Sequence, residues 1–374
     1  MILYISSNFD NPASGGDHIN KRNYDALEVL FKDQLLSYLL VDNYQSILLR
    51  CRFLRAIYIF LCSLGGYMLG YNIGNSKNIL NILQRKNIDI VFISSSKYGK
   101  LVRQIKKYDS SIKVIVFFHN IEKQYYEEEL KVNYDLSNLY WKYIVSKYEK
   151  LSSKYADYLI LLNERDNDLL RKLYKRNANL LLPTSFVDNY NDFHPPIMNV
   201  GMNSPLRLLF VGMNFFANTE GIRWFIDKVL SQLENVKLTI VGNGMDEVFS
   251  NSSSVEVYGY VNDLSKFYLD SDIVVIPIFS GGGMKTKTAE ALMYGMPILG
   301  TVEAFMGYDF DYNEVGLCAN SAEEMVMFLK EISIKRRLLI EYSKKSRDFF
   351  LKYYSFNNSV IKLKCFLDSI KKCD

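Results

Sequence analysis

The residues best equipped for chemistry lie in one short stretch, Ile278 to Glu290, with the sequence IFSGGGMKTKTAE. Three successive glycines, Gly281, Gly282 and Gly283, free the backbone to approach a ligand closely. The helix that the stretch opens, ending near Gly295, adds amides without partners and a partial positive charge. Lys285 and Lys287 place two cations where the macrodipole disfavours them, which costs stability until an anion of more than one charge arrives. A diphosphate meets that requirement, with Met284 and Thr286 beside it. Glu290, one turn further in, can accept hydrogen bonds from two adjacent hydroxyls, as on a ribose.

Two further loops point to the same ligand. Gly212 to Asn218 reads GMNFFAN, with Gly212 and Asn214 as candidate contacts, and Gly242, Asn243 and Gly244 form a GNG turn. Each follows an apolar run that reads as a strand, and ligands of open parallel sheets bind beyond the carboxyl ends of strands. Val261 completes this set of donor-side candidates. His119, after the run Lys113 to Phe118 and beside Asn120 and Glu122, is a candidate contact for a sugar hydroxyl. Near the N-terminus, Ser7 to Asp17 contains Gly15 and Gly16 but not GxGxxG, which argues against a hydride-transferring dinucleotide enzyme. Three dispersed histidines and no clustered carboxylates predict no metal site. Asp270/Asp272 and Asp309/Asp311 therefore read as incidental.

The elements that must position these residues alternate regularly. Apolar runs at Ile2 to Ser6, Asp89 to Ser94, Lys113 to Phe118, Tyr158 to Leu162 and Leu180 to Leu182 read as strands. Helix-length stretches such as Leu136 to Tyr155 separate them, so a parallel sheet covered on both faces is expected. Four of the seven prolines, Pro183, Pro195, Pro196 and Pro205, then interrupt the pattern. It restarts with Leu206 to Val211, Val236 to Val241, Val255 to Tyr258, Ile273 to Pro277 and Pro297 to Gly300. Residues 1–183 are thus expected to form one Rossmann-like domain, residues 184–205 a linker and residues 206–356 a second such domain. Asn218 and Asp263 are expected to cap helices, and Ser321 with Glu324 to form a capping box. The tail from Lys335 reads as two helices.

A chain of 374 residues with 49% hydrophobic and 23% charged content fits two soluble domains. The formal charge of +4 is far from the concentrated basic stripe that a nucleic-acid binder usually needs, so nucleic acid is not expected as a partner. Five scattered cysteines suggest neither a disulfide framework nor zinc, and the N-terminus shows no secretory signal, so a cytoplasmic protein is expected. In residues 50–71 an apolar stretch too short to span a bilayer follows Arg50, Arg52 and Arg55. A buried core helix is the first expectation, and peripheral contact with anionic lipid headgroups the sharper alternative.

With these residues in view, GGGMKTKTAEALMYGMPILGT resembles the donor motif of GT-B glycosyltransferases of the GT4 type (glycosyltransferase group 1). LLFVGMNFFAN, VKLTIVGNG, YGYVNDLSKFYLDSDIVVIP, HNIEKQYY and ADYLILLNERD fall in the order such enzymes show. The resemblance implies two Rossmann-like domains facing across a cleft, with a last helix, about residues 357–374, packed back on the first. It implies a retaining, metal-independent transferase that uses a nucleotide-sugar co-substrate, of the UDP or GDP type, and no bound cofactor. Lys285 and Lys287 would meet the diphosphate, Glu290 the ribose, Gly212 and Gly242 to Gly244 the nucleotide and His119 the transferred sugar. Gly15 and Gly16 would face acceptor and phosphates. The expected acceptor is a glycan or lipid-linked saccharide of bacterial capsule or O-antigen synthesis, reached at the inner face of the membrane. Many relatives carry a second glutamate where this chain has Gly282, which implies altered sugar recognition. A nucleotide-sugar 2-epimerase and a non-catalytic glycan-binding or partner subunit are the competing readings.

Overall fold

In the computed structural model, which describes residues 1–12, 14–41, 52–132, 135–190, 204–280 and 284–372, the short apolar runs become strands and the amphipathic stretches between them helices. The first sheet contains β1 (Ile2–Ser6), β2 (Leu35–Leu39), β3 (Ile90–Ile93), β4 (Lys113–Phe118), β5 (Tyr158–Leu161) and β6 (Leu180–Leu181). The second contains β7 (Leu206–Val211), β8 (Val236–Val241), β9 (Val255–Tyr258), β10 (Ile273–Ile276), β11 (Ile298–Gly300) and β12 (Gly316–Cys318). Every strand pairing is parallel. Parallel strands need helical crossovers, and helices on both faces explain why β1, β3 and β10 are buried along their whole length and, but for Ser6, apolar.

Strand order is β2-β1-β3-β4-β5-β6 in one sheet and β12-β11-β10-β7-β8-β9 in the other. Each order reverses once, between β1 and β3 and between β7 and β10. Loops leaving the two strands at such a reversal diverge to opposite faces and open a crevice. The chain divides into two compact units, Met1–Pro183 with Ser359–Asp374, and Thr184–Asn358. In the first, Arg22 donates to the Pro183 carbonyl at 2.6 Å and to Ser359 Oγ at 3.3 Å, and Phe366 of the last helix packs edge-on to Tyr158. In the second, Arg347 binds Asp188 and the Tyr190 carbonyl, at 2.5 and 2.9 Å.

The second unit packs one helix tightly onto its sheet. Helix Phe216–Lys228 follows β7, and a Cβ added at Gly221 would lie 1.9 Å from the Pro277 carbonyl oxygen. Only a residue without a side chain lets helix and strand end approach so closely.

Several local expectations need correction. Edge strands β2, which is only half-buried, and β12, which is three residues long and partly half-buried, were not among the expected strands. Asn218 does not cap its helix; it lies in the first turn, with Phe215 at the cap position. Asp263 accepts from the Ser265 amide ahead of helix Ser265–Leu269 but does not cap it, since Leu264 holds the cap position, whereas Ser321 does cap Ala322–Ile334 by accepting from the Glu324 amide. Gly15 and Gly16 open helix Gly15–Phe31, where Ser14 and Asp17 form a capping box, rather than lying in a loop. The buried core helix expected in residues 50–71 is overturned. Arg52–Leu64 is a helix, but Leu54, Ile57, Tyr58, Leu61 and Leu64 are exposed. No described helix is long and apolar enough to cross a membrane.

Candidate functional site

In the second unit the loops after β7, β8 and β10 meet at the strand-order reversal. The Asn214 amide donates to the Asn243 carbonyl at 2.8 Å, tying the first two loops together. A Cβ at Gly242 would stand 2.0 Å from the Gly212 carbonyl oxygen, and one at Gly244 3.1 Å from Asn214 Cβ. Side chains at either glycine would push the two turns apart. Val261 is half-buried in the segment after β9, whose Gly259 abuts the carboxylate of Asp246, just past the GNG turn.

Lys287 projects from helix Thr286–Met293 into this junction. Its Nζ lies 2.7 Å from the position a Gly212 Cβ would take, 4.3 Å from the Phe210 ring centroid and 2.6 Å from Asn218 Oδ1. The Asn218 amide nitrogen donates to the Met213 carbonyl at 2.8 Å, which turns its oxygen toward the lysine. Lys287 is thus held by a neutral acceptor and an aromatic face. Lys285 departs from the expectation of a cation awaiting an anion: Glu303 neutralises it at 2.6 Å. Tyr308 secures the helix start, donating to the Lys285 carbonyl at 2.7 Å and accepting from the Ala289 amide at 2.9 Å. No side chain caps this helix, and Thr286 is its half-buried first residue, next to buried Met284. Gly281, Gly282 and Gly283 lie outside the described residues.

Burial, reinforced by Lys285, pushes the Lys287 ammonium down to about 7. Burial pushes the Glu290 carboxyl up to about 7, opposed by the Tyr268 hydroxyl at 3.1 Å and by Lys287. Both groups are therefore placed near neutrality by their surroundings within the protein. A pyrophosphate beside Lys287 favours the ammonium, and a ribose hydroxyl donating to Glu290 favours the carboxylate. Binding of a UDP-sugar, whose pyrophosphate has no group titrating in this range, is expected to take up about one proton well above pH 7 and release about one well below it. Affinity then peaks near neutrality. Calorimetry in buffers of different ionisation enthalpy reads the sign directly, and pH-independent proton exchange would contradict the assignment.

The first unit holds a cavity of about 430 Å³ at its own reversal, lined by Ser14, Gly16, Asn20, Ser94, Lys97, His119 and Glu122 among others. His119, directly after β4, packs edge-on to Phe117, with Nδ1 3.3 Å from the position of a Gly16 Cβ. Burial, aided by Lys97 and Arg22, pushes its imidazole down to about 3, so it is neutral at ordinary pH. Its Nε2 is buried without a hydrogen-bond partner, as is Asn120 Oδ1. Such an atom can exchange hydrogen bonds with a hydroxyl without carrying charge. Lys97 pairs with Glu122 at 3.0 Å. Glu149 lies beneath, accepting from the Glu122 amide, Ser96 and Tyr174 at 2.8, 3.2 and 2.6 Å, and burial pushes its carboxyl up to about 7.

The structure brings Gly212, Asn214, Gly242, Asn243, Gly244 and Lys287 together, and separately Gly16 and His119. Sequence reasoning missed Asn218, Tyr268, Glu303 and Lys97. Lys97 was findable, because SSSK follows β3 and strand-end loops were the places to inspect. Tyr268 and Glu303 carry no local signal; distant chain segments bring them in. Asp272, half of one Asp-x-Asp, pairs with Arg207 at 2.9 Å.

Residues 205–328 match the family described as "Glycosyl transferases group 1". A Klebsiella pneumoniae relative, "Uncharacterized 44.6 kDa protein in cps region", is 26% identical over 255 residues, 60% of this chain and 58% of the relative. The chain thus spans under two thirds of that relative's length. Among solved structures it is similar to sucrose-phosphate synthase from Thermosynechococcus elongatus, with TM-score 0.71, 13% identity, and 100% and 99% of the two chains covered. It is also similar to Anabaena HepE in complex with UDP and glucose, with TM-score 0.69, 12% identity, and 98% and 99% covered.

Proposed function

With a glycosyl transferases group 1 segment at residues 205–328 and a GT-B fold as premise, we propose that this protein is a retaining glycosyltransferase that moves a sugar from a nucleotide-sugar to a glycan or lipid-linked saccharide. The observation that carries the reading is Lys287: a desolvated ammonium, pressed against the bare backbone of Gly212, with a neutral amide and an aromatic ring as its close partners among the described residues. A pyrophosphate supplies the missing counter-charge. As the bond from the anomeric carbon to phosphate breaks, charge grows on the leaving oxygen, and Lys287 stabilises that charge more than the ground state. The acceptor hydroxyl attacks on the face the phosphate leaves, so configuration is retained without a protein nucleophile. Glu290 receives the ribose, and neutral His119 in the first unit's cavity receives a sugar hydroxyl.

A UDP-type donor is favoured because the similar HepE structure holds UDP and glucose. The cps-region relative favours a role in bacterial surface polysaccharide synthesis. The test is a thermal-shift screen of UDP-, GDP-, CMP- and dTDP-sugars. At about a hundredfold excess over Kd the correct donor adds roughly 2.7 kcal/mol, a rise on the order of 5 °C or more. A flat response to every nucleotide would defeat the proposal.

A further inference from the structure

Glu149 is a fully buried carboxylate that plays no part in the transfer described above. It stands within helix Leu136–Tyr155 and gathers four hydrogen-bond donors. Its Oε1 accepts from the Glu122 amide at 2.8 Å and from Ser96 Oγ at 3.2 Å, and its Oε2 accepts from the Lys123 amide at 3.4 Å and from the Tyr174 hydroxyl at 2.6 Å. Ser152, almost one turn further along, donates its Oγ to the Ser96 carbonyl at 2.7 Å. One helix therefore ties the loop after β3, which carries Lys97, to the loop after β4, which carries His119. Both of those side chains line the 430 Å³ cavity of the first unit.

The two amides open helix Glu122–Val132, and amides in a first turn have no acceptor within their own helix. Three other helices of this unit use a neutral cap instead: Ser14, Asn72 and Asn163 accept from the Asp17, Asn75 and Asp166 amides. Asn120, just ahead of Glu122, is of the right type to do the same, yet its Oδ1 is buried without a partner among the described residues, as is His119 Nε2. The acceptor comes from a residue 27 positions away. Burying a carboxylate costs more than burying a neutral cap. A glutamine would offer one oxygen to donors that meet two, and would turn its own N–H groups against the rest. The carboxylate thus holds both loops at once and leaves the polar atoms of His119 and Asn120 uncommitted.

We propose that Glu149 is a positioning residue, which fixes the loops after β3 and β4 so that the imidazole of His119 stands ready to meet a sugar hydroxyl. The transferase reading supplies the identity of that hydroxyl, and the positioning of the imidazole stands apart from it.

Glu149→Gln is expected to lower kcat for sugar transfer about tenfold to a hundredfold, since a small displacement of a contact group is enough for that. Binding of UDP, which lacks the sugar that His119 meets, should stay unchanged. Imidazole NMR adds a readout that needs no transfer. Burial holds His119 down at about 3, and a loosened loop admits water, so its titration should rise toward the ordinary value of about 6.5. Loss of a nearby anion would by itself move it the other way, so the direction separates positioning from plain electrostatics. Ser96→Ala cuts the tie to the loop after β3 while the carboxylate keeps its two amides and Tyr174. It should move both readouts in the same directions by less, and it carries the test if Glu149→Gln does not fold. An imidazole whose titration does not rise, or a loss of transfer that only tracks falling melting temperature and UDP binding, would overturn the proposal. A rise in a protein that transfers no sugar would support the positioning and count against the transferase reading alone.

Discussion

Lys287→Met is expected to lower sugar transfer by about a hundredfold to a thousandfold, the loss seen when one preorganised donor to a developing oxyanion is removed. The fold should survive. Methionine keeps much of the length and volume of lysine and takes away a cation whose close partners are Asn218 Oδ1 and the Phe210 ring, so melting temperature should hold or rise. The contrast with Lys285 sharpens the test. Glu303 already neutralises Lys285, so removing that lysine takes a close ion-pair partner from Glu303 and should cost stability as well as activity. Transfer rates and melting curves of the two variants separate the roles. Full activity in Lys287→Met would end the case for this lysine as the phosphate contact.

Glu290→Gln is expected to weaken UDP-sugar binding about tenfold to a hundredfold, since a hydrogen bond to a charged group is worth roughly 1.5–3 kcal/mol. The mechanism is checked by a cycle. The native protein should discriminate against a 2′-deoxyuridine donor, and the variant should treat ribose and deoxyribose donors nearly alike. Equal loss for both donors would mean that Glu290 acts on something other than the ribose. Tyr268, whose hydroxyl meets Glu290 at 3.1 Å and whose ring stacks on Tyr294 at 4.3 Å, fixes the carboxylate without being asked to touch ligand.

The fold was largely legible because buried parallel strands announce themselves. β1, β4, β7, β8 and β9 match apolar runs end for end. What escaped was short, half-buried or marginal: β2, β12 and the outward face of Arg52–Leu64, whose composition resembles a core helix. Periodicity reports that a helix has an apolar side, not whether the protein covers it. The site was legible where local chemistry sufficed. Glycines after strands found Gly212 and Gly242, and a lysine at a helix start found Lys287. It was not legible where tertiary packing decides partnership. Nothing near Lys285 in sequence points to Glu303, and Asn218 looked like a cap because asparagine near a helix start commonly is one.

The close approach of Gly221 to the Pro277 carbonyl, and of Gly242 to that of Gly212, also bears on how much sequence change the fold accepts. Where main chain touches main chain, the architecture asks only that nothing project from these points. Elsewhere the surrounding side chains are at liberty to exchange for others of similar bulk. A fold held at such points tolerates wide exchange of side chains, as the 13% identity with the Thermosynechococcus elongatus synthase of similar fold illustrates.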